Sequence, residues 1–73
     1  MSVIENQILQ DIYRASSEGG FLTMRDLELN TSLTEWNLRP HLEDLKEASL
    51  IVEHPEGFQV APKGRHFYKS NWG

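Results

Sequence analysis

Residues 34–48 read TEWNLRPHLEDLKEA, and the way this stretch winds decides the reading of everything around it. Leu38, Leu42 and Leu45 recur at three- and four-residue spacing, which places them on one helical face and makes that face the core side. Thr34 offers a side-chain oxygen to the free amides of the first turn, and Glu35 just inside favours the positive end of the helix dipole. The other side carries Trp36, Pro40, Glu43 and Glu47. Pro40 has no amide to donate, and its ring crowds the carbonyl four residues back. One helix over 34–48 with a kink near Trp36 is therefore expected. A regular helix starting nearer Arg39 is the alternative, with Pro40 in its first turn.

Working outward toward the N-terminus, Asn30, Thr31 and Ser32 supply turn chemistry, and Leu33 reads as an apolar plug. A helix over 24–30 precedes them, with Leu27 and Met24 on its core side. Thr23 followed three residues later by Asp26 approximates a capping box at its start. Before that, Ile4, Ile8, Ile12 and Ala15 form the stripe of an amphipathic helix over 3–16, flanked by Leu9 and Tyr13. Ser16, Ser17, Gly19 and Gly20 stop it, since glycine takes positive backbone angles without a clash. Phe21-Leu22 is too short to read as a strand.

Working outward in the other direction, Leu50 to His54 and Phe58 to Ala61 are short runs rich in branched and aromatic residues, split by Pro55-Glu56-Gly57. They predict a hairpin with strands at 50–54 and 58–61 and a loop of three residues or more. Residues 62–73 follow as a basic tail or short helix, with Phe67 or Tyr68 packed inward.

The chain has 73 residues, no cysteine, a net charge of -4 and a pI near 5.2. That length predicts a single domain over 1–73, close to the lower limit for a fold held by an apolar core alone. Without cysteine there is no disulfide framework and no thiolate site. His41, His54 and His66 are too far apart for a metal motif, and no glycine-rich phosphate loop occurs. Neither a cofactor nor an enzymatic role is expected. No basic segment precedes a continuous apolar run, and no window reaches the roughly 20 apolar residues that span a bilayer, so a cytoplasmic protein without membrane contact is expected. Charge is unevenly spread: residues 1–61 hold all of the acids, whereas 62–73 hold Lys63, Arg65 and Lys69 and no acid.

The segments HLEDLKEASLI (41–51) and FQVAPKGRHFY (58–68), together with the turn from Leu27 to Leu33, resemble a winged helix-turn-helix domain such as those of small bacterial and archaeal transcriptional regulators. The resemblance covers nearly the whole chain and implies an α+β fold: three helices, a two-stranded wing and a short C-terminal helix or tail. Ser32 and Ser49 stand where such domains often have glycine. The resemblance further implies double-stranded DNA as partner, with helix 34–48 in the major groove and the protein acting as a homodimer, because one module reads only a half-site. On that reading Arg39 and Asn37 meet base edges, Thr34 reaches a phosphate, and Trp36 and Pro40 lie against the groove. His54 enters a minor groove, and Lys63, Arg65, His66 and Lys69 hold phosphates.

The surface chemistry also allows a second reading. Trp36 and Pro40 make an apolar wedge beside Glu43 and Glu47, which suits a protein partner better than a polyanion. Arg39 would then be a solvated side chain near Glu35 or Glu43, one turn away. The same fold serves as a protein-docking module, so both readings stand at this point.

Overall fold

The computed structural model describes residues 2–71; Trp72 and Gly73, the end of the expected basic tail, lie outside the described residues. Along the chain run α1 (Val3–Ser17), α2 (Met24–Thr31), α3 (Glu35–Glu47), β1 (Ile51–His54), β2 (Gly57–Val60) and α4 (Pro62–Asn71). The class is α+β: three helices, an antiparallel hairpin and a C-terminal helix.

Helix α1 starts with the Ser2 hydroxyl accepting from the Glu5 amide at 3.1 Å. Ser16 and Ser17, expected to stop it, lie inside it. The stop comes at Gly19, whose φ of 80° allows its amide to donate to Ser16 O while the Gly20 amide donates to Ala15 O, both at 2.9 Å. This paired closure satisfies carbonyls that the helix end leaves open. Ser16 has a tertiary task instead, accepting from the Val60 amide at 2.8 Å and pinning β2 to α1.

Helix α2 carries the capping box in full. Thr23 accepts from the Asp26 amide at 3.1 Å, and Asp26 accepts from the Thr23 amide at 3.0 Å. That backbone bond, joined by the Thr23 hydroxyl, holds the Asp26 carboxyl below its ordinary value.

Helix α3 runs from Glu35 to Glu47 with Pro40 inside it, one helix rather than one that starts near Arg39. Pro40 lies on the exposed side, where a carbonyl deprived of its amide donor can be hydrated. At the far end Ser49 takes a φ of 62°, its amide donating to Lys46 O at 2.9 Å while that of Leu50 reaches Leu45 O at 3.0 Å. The closure matches that of Gly19, with buried Leu45 and Leu50 as its apolar pair. Ser32 ends α2 in the same left-handed region, also at φ 62°. Both serines thus adopt the conformation that glycine takes more cheaply.

The hairpin turn is tighter than the sequence suggests. Gly57 pairs with His54, leaving Pro55 and Glu56 as a two-residue loop and moving β2 one residue earlier. Gly57 has a φ of 141°, and a Cβ there would sit 2.8 Å from Leu22 O, so glycine alone fits. Leu22 lies this close because it exchanges backbone hydrogen bonds with Phe58, at 3.0 and 2.7 Å. The pair Phe21-Leu22 therefore contributes one strand-like position beside β2.

The core gathers Ile8, Leu9 and Ile12 from α1, Leu27 from α2, Leu38, Leu42 and Leu45 from α3, and Leu50, Ile51, Phe58 and Val60 from the hairpin. Leu9, expected on the flank of α1, is as fully buried as Ile8. Met24, Leu33 and Phe67 pack against this cluster from the side. Helix α4 is seated through Gly64, where an added Cβ would collide with the Leu50 carbonyl and come within 2.8 Å of Val60 Cγ2.

Candidate functional site

Two surfaces carry the residues singled out in the sequence, and they sit on different elements. The first is the outer side of α3. With Leu38, Leu42 and Leu45 turned inward, the helical period turns Trp36 outward, and its side chain is 86% exposed. Trp36, Arg39 and Pro40 line an open cleft of about 290 Å³. Val3 and Leu29 are also exposed, but Trp36 is the one that lies with a second apolar residue, Pro40, in a cleft.

Arg39 does not reach freely into solvent. Its Nη1 lies 3.0 Å from Glu53 and 3.6 Å from Glu43, its Nη2 lies 3.6 Å from Glu35, and the guanidinium stands 6.0 Å over the Phe58 ring. Lys46 joins the same network, 3.0 Å from Glu53 and 3.2 Å from Glu43. The Lys46 ammonium above all holds the Glu53 carboxyl below its ordinary value; burial opposes it, and the Arg39 guanidinium adds to the lowering. Burial works against the Arg39 charge, but its bonds to Glu53 and Glu43 and the field of Glu35 outweigh that and raise its pKa. Lys46 is raised as well, chiefly by its bond to Glu53.

The helix start is equally occupied. Thr34 Oγ1 accepts from the Asn37 amide at 3.4 Å, and Glu28 reaches back from α2 to accept from the Glu35 amide at 3.2 Å. An amide that would hold a phosphate at a free helix N-terminus thus already has a carboxylate on it. Asn37 remains exposed. Asp44 and Glu47 are exposed and have no cationic partner among the described residues. The expected DNA-reading surface of α3 is therefore neutralised from within around Arg39 and acidic beyond it.

The second surface is α4, which packs on α1 and β2, whereas α3 packs on α1, α2 and β1. Its inward side puts Tyr68 flat on Tyr13, ring centres 3.8 Å apart and planes 9° apart. Arg65 lies 5.5 Å over the same Tyr13 ring, an arrangement that orients the guanidinium without neutralising it. With Val60, Pro62, His66 and Lys69 it lines a groove of about 370 Å³ that contains no carboxylate among the described residues. Lys63, His66 and Lys69 are exposed. His54 is on neither surface: half-buried in β1, its ring meets that of Phe21 edge-on at 5.4 Å.

Glu53 and Glu28 are the residues that reading along the chain misses. Glu53 lies 14 positions from Arg39, so no helical spacing links them. Strand alternation was the available signal: Glu53 shares a face with buried Ile51 and stands opposite buried Phe58, on the side of the hairpin that α3 covers. His41 provides a further tie, with Nδ1 2.9 Å from Glu5 linking α3 to α1.

Among the described residues no group of three or more His, Cys, Asp and Glu is placed to hold a metal ion, and no helix is long and apolar enough to cross a membrane. Comparison of the chain with protein-family models, with curated proteins and with solved structures gives no match.

Proposed function

We propose that the chain is a winged-helix docking module that receives a protein partner on the outer face of α3, the partner supplying an apolar seat for the exposed Trp36 and basic residues around it. One observation carries this reading: Trp36 stands exposed beside Arg39, which, like Lys46 farther along the helix, is already neutralised by carboxylates of Glu35, Glu43 and Glu53. A phosphate approaching Arg39 would have to displace carboxylates held at 3.0 to 3.6 Å and then face Asp44 and Glu47. A basic protein segment meets the opposite situation, with an apolar anchor at the centre and acids at the rim.

Duplex DNA is the second reading, and the cations of α4 favour it. Lys63, Arg65, His66 and Lys69 have no acid on their own helix. They suit phosphate positioning rather than base reading. On this reading the protein, as a homodimeric regulator, would grip the backbone through α4.

A titration followed by amide and indole NMR shifts separates the two. A short synthetic peptide rich in lysine and leucine is expected to move the Trp36 indole and the amides of α3. A mixed-sequence duplex at low salt is expected to leave them in place, with any shift confined to α4. Duplex-induced shifts along α3 that vanish in Arg39→Ala would overturn the docking reading and restore base recognition.

A further inference from the structure

The two surfaces are complementary to each other, and one molecule keeps them on separate elements. The face of α3 presents an exposed indole in the first turn, with Asp44 and Glu47, uncompensated among the described residues, about two to three turns farther along the helix. The groove beside α4 is lined by apolar Val60 and Pro62 together with Arg65, His66 and Lys69. At about 370 Å³ it is at the small end of ordinary ligand pockets, a size suited to one aromatic side chain rather than a large ligand. The α3 face carries the protruding indole and the excess of acids, and the groove carries the cations.

We infer that the partner of the α3 face is a second copy of this chain, with Trp36 of one molecule seated in the groove between β2 and α4 of the next. The inference rests on the docking reading and names its occupant. Charge complementarity supplies the argument. An isologous contact through α3 would set one acidic patch against another, and one through α4 would set one basic patch against another. Joining α3 to α4 instead sets the acidic patch against the basic one. Such a contact is heterologous: every open assembly keeps a free α3 face at one end and a free groove at the other, so growth continues unless a ring closes. Both patches are small, which places the contact among weak interfaces, with association expected in the upper micromolar range.

Sedimentation velocity from about 10 µM to about 1 mM tests this, at salt of about 25 mM and about 500 mM. The native chain is expected to form species beyond the dimer as concentration rises, weakened at least about tenfold by the higher salt. Trp36→Ala keeps the groove and loses the anchor. His66→Glu combined with Lys69→Glu keeps the anchor and reverses the groove. Each variant alone is expected to stay monomeric, and thermal melts check that both are folded. Mixed in equal amounts they are expected to form a one-to-one dimer that grows no further, because one intact α3 face then meets one intact groove. A native chain that stays monomeric throughout, a Trp36→Ala chain that still assembles, or a mixture that fails to dimerise overturns the inference. The peptide titration keeps the two proposals apart. If the peptide still moves the Trp36 indole of a monomeric chain, the docking face stands and only its occupant changes. If it does not, both fall.

Discussion

The outer side of α3 and the outer side of α4 treat their cations in opposite ways. On α3, Arg39 and Lys46 are enclosed by Glu35, Glu43 and Glu53, so the fold consumes their charge. On α4, Arg65 is steadied by the face of Tyr13, a quadrupole rather than an anion, while Lys63 and Lys69 stay exposed. Counting basic residues along the chain would treat these positions alike. Whether a cation is available to a ligand depends on which neighbours the fold gives it, and a strand carboxylate 14 residues away decides that for Arg39.

The seat of α4 is the first place to break this contrast. Gly64→Ala forces a methyl group against the Leu50 carbonyl backbone, which cannot yield as a flexible side chain would. A loss of more than about 3 kcal/mol in urea unfolding is expected, placing it in the tail of single-substitution effects. Unchanged stability would mean that α4, and the basic groove with it, is seated elsewhere.

Next in size is the difference between the two sides of α3. Leu42→Ala empties a fully buried position and is expected to cost about 2 to 5 kcal/mol. Trp36→Ala, despite removing the largest side chain on the helix, is expected to change thermal stability by less than about 0.5 kcal/mol. Equal losses would put the indole in the core and remove the docking face.

A gain is expected at the end of α3. Ser49→Gly keeps the hydrogen bonds from residues 49 and 50 and relieves the side-chain strain at φ 62°, for a stabilisation of about 1 kcal/mol. A melt at or below that of the native chain would show that the serine conformation is not strained.

The smallest effect addresses the neutralised network itself. Glu53 titrates below its ordinary value in the folded chain, so its contribution is present above the unfolded value and is lost as the pH falls through the folded one. Replacing it by Gln should cost less than about 1 kcal/mol at neutral pH and flatten the acid limb of the stability profile. The same variant releases Arg39 and Lys46 from their shared partner. Duplex binding at low salt, followed by fluorescence anisotropy, is then expected to strengthen a few-fold and to shift onto α3. No change in duplex binding would mean that Glu53 is not what withholds those cations.

The α+β class and the inward leucines of α3 were legible in the sequence because periodicity and capping are local: Thr23 with Asp26 closes a capping box, and Leu38, Leu42 and Leu45 share one face wherever the helix lies. Proximity in space was not legible, because pairing partners need not be near in sequence. The distance from Arg39 to Glu53, the reach of Glu28 to the α3 start, the hydroxyl of Ser16 on Val60, and the stacking of Tyr68 on Tyr13 all join segments that no period connects. Residue spacing within 34–48 determined which side of the helix faces out. Only the docking of the hairpin against that helix decided how much of its charge remained for anything else, since electrostatic availability is set by distance in three dimensions.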